Sequence, residues 1–302
     1  MNESLRQLFD NLGELGGELR RDEPLAAHCS WRVGGPADLF YQPQRLEQLE
    51  RAVCLAEAAG VPWLVLGNGS NLLVRDGGVR GLVIETGALN RWRLRDDGGL
   101  EAECGVALPE LARATAAAGR AGLERLAGIP GTLGAAVAIN AGAHGQSVGD
   151  AVRQVVVLHE GRRQRRTKAE LGFGYRQSAI GDREVVLEIL LQLDRKEPAA
   201  LLEAMRAALD ARRQAQAVEG PNAGSVFRNP PDVAAWKLID DAGLRGLRLG
   251  GAMVSERHAN FIVNCGDARA AEIEELIERV RQRVKAHSGV ALETEIRIVG
   301  ER

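Results

Sequence analysis

Leucines alternate with charged residues through positions 1–22, which predicts a short amphipathic helix ending at Gly16-Gly17. A strand–turn–strand is expected around Gly34-Gly35-Pro36, with apolar runs at His28–Val33 and Leu39–Tyr41 on either side. Leu46, Leu49, Val53 and Ala56 return at helical spacing within 45–59, and Gly60 with Pro62 stops them. Trp63–Leu66 reads as a buried strand running straight into Gly67-Asn68-Gly69-Ser70-Asn71. Leu72–Val74 and Leu82–Ile84 are further strands, and 107–118 is a helix closed by Gly119. Val152–His159 and Glu184–Leu193 alternate as strands. Pro198 opens a helix that ends near Arg212-Arg213, around which the main domain boundary falls. Beyond it come a helix over 233–242, a strand over 259–263, and an amphipathic helix marked by Ile273, Leu276, Ile277, Val280 and Val284. A closing strand is expected over 292–299, with Glu293, Glu295 and Arg297 on one face.

One stretch breaks the pattern. Leu126–Gly149 holds no Asp, Glu, Lys or Arg, although 26% of the chain is charged. Pro130, Asn140, His144, Gln146 and repeated glycines argue against a membrane span, because a span must satisfy its own backbone hydrogen bonds. Buried, tightly turning backbone is the better reading, with glycines allowing close approach of a ligand to the main chain. The loop at 67–71 is neither a GxGxxG opening a helix nor a GxxxxGK[ST] loop, so neither a Rossmann dinucleotide fold nor a nucleotide triphosphatase is indicated. Two glycine-rich loops in one α/β stretch point to a large phosphate-bearing cofactor.

Composition narrows the classes further. The 302 residues suffice for two or three domains, and a net charge of −2 supplies no bulk basic field for nucleic acid or an anionic membrane. Arg162, Arg163, Arg165, Arg166 and Lys168 form a local basic cluster, expected as the solvated tip of a hairpin. Cys29, Cys54, Cys104 and Cys265 lie far apart without a CxxC pair, as in a reduced cytoplasmic protein. The histidines show no ligand spacing, so no metal site is expected.

Assembled in order, the blocks WRVGGPAD, LGNGSNLLV, GIPGTLGAAV with INAGAHG, FGYRQS, PNAGSVFRNP, WKLIDDAGLRG, GGAMVSERHANFIVN and LETEIRIVG give the chain a marked likeness to a known family. From about His28 to Gly300 it resembles the UDP-N-acetylenolpyruvoylglucosamine reductases, flavoenzymes of peptidoglycan precursor synthesis. The resemblance implies an α+β architecture: a vanillyl-alcohol-oxidase (PCMH)-type FAD-binding fold in two subdomains, 1–65 and 66–197, plus a C-terminal α/β substrate-binding domain over 198–302. It implies non-covalent FAD, NADPH as co-substrate, and reduction of an enolpyruvyl UDP-sugar to UDP-N-acetylmuramate. The catalytic trio maps onto Arg176, Ser225 and Glu295. Cofactor contacts fall on Gly67, Asn68, Gly69, Ser70 and Asn71, on Ile129, Pro130, Gly131, Gly134 and Ala135, and on Asn140, Ala141, Gly142 and Arg297. Substrate contacts fall on Tyr175, Arg213, Asn229 and Lys237.

Each role has a physical basis. Hydride addition leaves negative charge shared between carbon and carboxylate, and a guanidinium offers that carboxylate a fork of donors. A positioned serine hydroxyl can protonate so basic a carbon. An ionised Glu295 would repel the developing charge, so a protonated, hydrogen-bond-donating carboxyl is expected there. Two departures from the family pattern stand out. Gly134-Ala135 replaces the usual Gly-Gly, tolerable if φ at Ala135 is negative, and the chain looks like the short form that lacks a tyrosine-bearing loop over the substrate. A monomer in the cytoplasm is expected, with neither nucleic-acid nor membrane partners. The rival readings are a flavin oxidase of the same cofactor fold acting on a small alcohol or lactone, and a non-catalytic nucleotide-sugar-binding module.

Overall fold

The computed structural model describes residues 2–302. Its contacts divide the chain into two compact units, neither continuous in sequence. The first comprises the residues up to Arg20, then Leu39–Asn68 and Leu82–Arg212; the second comprises Arg21–Asp38, Gly69–Gly81 and Arg213–Arg302.

In the first unit, the helix Glu3–Leu15 buries Leu8 and Leu12, is capped by the Asn2 side chain accepting from the Leu5 amide, and stops at Gly16 with φ 73°. Tyr41 and Gln48 tie its end down, the Tyr41 hydroxyl donating to Gly16 O and the Gln48 amide to Leu15 O. The helix Leu46–Ala58 presents Leu49, Ala52, Val53 and Ala56 to the same core. The strand Trp63–Leu66 pairs parallel with Val79–Glu85, Trp63 opposite Leu82. A five-stranded antiparallel sheet runs in the order Arg162–Thr167, Val152–His159, Val185–Gln192, Gly99–Glu103, Trp92–Leu94. The arginine cluster is therefore the outer strand of that sheet, not the tip of a hairpin. Its backbone ladder with Val152–His159 holds it, and ion pairs of Arg163 with Glu50 and Glu188 and of Arg166 with Glu184 add to that.

In the second unit, Trp31 is fully buried and its indole N–H donates to Ile262 O at 2.7 Å. It packs with Val33, Leu73, Phe227, Ile239 and the inner face of the helix Ala270–Ser288. That inner face is Ile273, Leu276, Ile277, Val280 and Val284; each side chain of this size contributes about 1.5–3 kcal/mol when fully buried. Both oxygens of Asp76 accept the first amides of the helix, Ala270 and Ala271, each at 2.9 Å, while Gly289 closes the far end in the left-handed region. A three-stranded antiparallel sheet of Arg248–Leu249, Ala252–Val254 and Ile262–Asn264 completes the layer.

Three expected strands are not formed as expected, and that over 259–263 begins only at Ile262 and runs to Asn264. Upstream of Gly34 the chain makes a 3₁₀ turn over Leu25–His28 and then loops to Trp31, since the indole must turn inward. Only Arg297–Val299 of the closing segment is a strand, parallel to Leu72–Val74. The residues before it are extended but meet the chain at a single bridge, Thr294 opposite Phe227.

Candidate active site

Of the two glycine-rich loops expected to hold a cofactor, the first begins in the first unit, where Gly67 meets the second. A Cβ placed on Gly67 would lie 2.7 Å from Thr132 Oγ1 and 3.6 Å from Ala135 Cβ, so the loop after Trp63–Leu66 abuts the turn that opens the helix Leu133–Ala138. Thr132 caps that helix, its hydroxyl accepting from the Ala135 amide. The turn itself is pinned from behind: Leu133 N donates to Val106 O at 2.7 Å and Gly134 N to Cys104 O at 2.8 Å. Gly134 admits no side chain, because its Cβ would sit 2.7 Å from that of Cys104. Ala135 is helical and exposed, so the departure from Gly-Gly falls on the permissive position of the pair. Gly69, in the second unit with φ 57°, has the same constraint, its Cβ falling 2.1 Å from His28 O.

The neutral stretch is not wholly buried. Pro130, Ala135 and Ile139 are exposed, and the last two share one face of the short helix, one turn apart. An uncharged cradle of glycine backbone, hydroxyl and carboxamide groups beside small exposed apolar side chains fits a large cofactor with a flat ring and a phosphate tail.

Downstream, Asn140 adopts φ 45° and is 7% exposed. Both ends of its carboxamide are bonded, Oδ1 accepting from Gly149 N at 3.0 Å and Nδ2 donating to Gly174 O at 2.7 Å. It therefore fastens the neutral stretch to the tight turn Gly174–Gln177, whose end residues exchange backbone hydrogen bonds of 3.0 and 3.3 Å. Tyr175 and Arg176 occupy the tip. Tyr175 is 62% exposed, Arg176 has φ 53°, and its guanidinium lies 5.7 Å from the Tyr175 ring centroid. One guanidinium nitrogen of Arg176 donates to Gly142 O at 2.8 Å. A left-handed backbone at a non-glycine costs energy and clusters where function holds a side chain in place.

Arg212 was not expected and Arg213 was. Burial, and then the Arg176 charge, hold the Arg212 guanidinium below its ordinary range. Arg212 is half-buried near the end of the helix Pro198–Ala215 against Gly128, while Arg213 is exposed and belongs to the second unit. A carboxylate or phosphate bound near Arg176 and Arg212 would relieve the repulsion between the two guanidinium groups.

In the second unit, Ser225 and Glu295 stand on adjoining extended segments. Glu295 N donates to Val226 O at 2.7 Å, and Arg228 N donates to Glu293 O at 2.9 Å. Gly224, with φ 75°, turns the chain just before Ser225. Glu295 is half-buried and Glu293 exposed, which separates the expected acid from its neighbour two residues away. Asn71 braces the segment that bears Glu295, its Nδ2 donating to Glu295 O at 3.1 Å while Arg297 N donates to Asn71 O at 3.0 Å. Asn229 Oδ1 accepts the Ala235 amide at 3.0 Å and so helps open the helix Ala235–Asp241, on which Lys237 is exposed. Among the described residues no cluster of His, Cys, Asp and Glu is arranged to hold a metal ion.

Residues 37–165 match the FAD binding domain profile, which defines the chain as an FAD-binding protein of the α+β oxidoreductase class. Residues 215–299 match the C-terminal domain of UDP-N-acetylenolpyruvoylglucosamine reductase. The chain belongs to the UDP-N-acetylenolpyruvoylglucosamine reductase family. It is 43% identical to the Geobacter metallireducens enzyme of that name over 95% of this chain and 96% of the relative, and 42% identical to that of Geobacter sulfurreducens over the full length of both. The crystal structure of the Thermus caldophilus reductase superposes with a TM-score of 0.80 at 38% identity, covering 94% of this chain and 98% of that one. An alkyldihydroxyacetonephosphate synthase structure, 18% identical with a TM-score of 0.50 over 63% of this chain and 40% of that one, shares the cofactor fold alone.

Proposed function

We propose that the chain reduces UDP-N-acetylglucosamine enolpyruvate to UDP-N-acetylmuramate with NADPH, in peptidoglycan precursor synthesis. Bound FAD supplies the hydride relay from NADPH to the enolpyruvyl double bond. It would be held by Gly67–Asn71, Ile129–Gly131, Gly134, Ala135 and Asn140–Gly142, and Arg297 would serve it as well. Segments 1–65 and 66–197 serve the cofactor in this reading, and 198–302 the sugar nucleotide.

What supports the reading is that Glu295 N donates to the main-chain oxygen of Val226, the residue after Ser225, so the segments bearing the expected hydroxyl and carboxyl adjoin. Hydride goes to one alkene carbon, and the electron pair moves onto the neighbouring carbon and its carboxylate. Arg176, with Arg212, neutralises that carboxylate through charge-assisted hydrogen bonds. Ser225 Oγ gives its proton to the carbon, completing the lactyl ether. Glu295 donates a hydrogen bond to the developing charge as a neutral acid. Tyr175, Arg213, Asn229 and Lys237 orient the rest of the substrate. The enzyme acts in the cytoplasm as a monomer and binds no nucleic acid; among the described residues no helix is long and apolar enough to cross a membrane.

Purified protein is expected to carry the yellow flavin absorbance, to be bleached by NADPH without oxygen, and to recover colour on addition of the enolpyruvyl UDP-sugar. Bleaching without recovery would favour an oxidase of the same cofactor fold, and a colourless protein a plain nucleotide-sugar binder. Glu295→Gln retains more of the recovery rate than Glu295→Ala if Glu295 works as a donor; the reverse order contradicts the neutral acid.

A further inference from the structure

Asn260 is 3% exposed, and it was not among the residues expected to serve the reaction. Its side chain and its main-chain oxygen both bond to the segment that carries Ser225. Oδ1 accepts Phe227 N at 2.9 Å, Nδ2 donates to Phe227 O at 2.8 Å, and its main-chain oxygen accepts Val226 N at 2.8 Å. Its own amide donates to His258 Nδ1 at 3.3 Å, which fixes it from behind. The opposite edge of the Val226–Arg228 backbone is taken by Glu295 N and Glu293 O. A side-chain carboxamide that both donates to and accepts from one residue's main chain imitates a strand partner, and two-point contact fixes the plane of the peptide as well as its position.

We propose that Asn260 is a positioning residue for the reductase reaction: it holds the Val226–Phe227 peptides in the register that aims Ser225 Oγ at the carbon to be protonated. The inference rests on the function proposed above. No other side chain of this size supplies both halves of the contact. Aspartate keeps the acceptor and loses the donor, and places a carboxylate oxygen against the Phe227 carbonyl. Protonation by a weak acid depends steeply on placement, a displacement of about 1 Å costing on the order of 100-fold. Nothing in the contact bears on how FAD is reduced.

The test separates positioning from mere support of the fold. In holoenzyme bearing Asn260→Asp, reoxidation by the enolpyruvyl UDP-sugar is expected to slow roughly 10- to 100-fold, with reduction by NADPH unchanged within about twofold. A residue acting through Ser225 has little left to lose once Ser225 is gone, so in the Ser225→Ala background the same change slows reoxidation by less than about twofold. Multiplicative losses in both backgrounds, or equal slowing of both half-reactions, overturn the proposal. Should Asn260→Asp fail to accumulate as folded protein, Asn260→Ser carries the same comparison. Amide hydrogen exchange gives a readout that needs no turnover: protection over residues 225–229 falls in the variant while that of the helix Ala270–Ser288 is kept. Unchanged exchange over 225–229 overturns the brace even in an active enzyme. A wild type that is never reoxidised by the substrate overturns the functional reading, and with it the catalytic half of this proposal, whatever the exchange shows.

Discussion

Gly134 and Ala135 are neighbours at the start of one short helix and respond to opposite changes. Gly134→Ala forces a methyl to 2.7 Å from Cys104 Cβ, inside a buried contact that cannot open, and is expected to cost about 1–3 kcal/mol in urea unfolding. Ala135→Gly removes an exposed methyl from a helical position and costs about 0.5–1 kcal/mol. A destabilisation of similar size at both positions would contradict the packing. The glycines at 67, 69 and 134 were legible because each has a steric cause. Arg212 was overlooked for a reason equally physical: adjacent arginines look equivalent in a sequence, but helical spacing puts Arg212 in register with Leu201, Met205 and Ala208, the buried face, and turns Arg213 outward. That register was available. Asn260 gave no such signal, since a buried asparagine and a surface one are the same letter until their partners are known.

Long elements announced themselves through periodicity, and short ones did not. The helix Ala270–Ser288 repeats its apolar positions over several turns, so its inner face was readable in advance. Its start was not, because the capping group comes from far away in sequence. Asp76 holds both Ala270 N and Ala271 N, and Arg75 next to it makes paired hydrogen bonds of 2.9 Å to Glu274. Asp76→Ala is expected to destabilise by about 1–2 kcal/mol, with Asp76→Asn between it and the wild type, measured by urea unfolding. No loss in the alanine variant would mean solvent caps those amides equally well. The segment before Arg297 shows the opposite error. Alternation of Glu and Ile suggested a full strand from Leu292, but a strand needs a partner along its length, and here one bridge and a few backbone bonds suffice. The outer strand Arg162–Thr167 has no apolar alternation to read, because its cationic side chains face solvent and glutamates while its backbone pairs with Val152–His159.

At the scale of the molecule, the discontinuity of the two units has no local signature. Trp31 meets Ile262 across 231 residues, and Asn71 meets Glu295 across 224. Neither pairing could be read from spacing. Family resemblance carried the cofactor and the reaction, and bare residue chemistry carried the reasons why an arginine, a serine and a carboxylic acid suit that reaction. In the proposed mechanism Ser225 delivers the proton in the second half-reaction and has no part in the first. Anaerobic stopped-flow absorbance on Ser225→Ala tests it most directly. Reduction by NADPH should proceed within about twofold of the wild-type rate, and reoxidation by the enolpyruvyl UDP-sugar should slow by roughly 100-fold or more. Equal slowing of both phases, or wild-type reoxidation without the hydroxyl, would contradict the account.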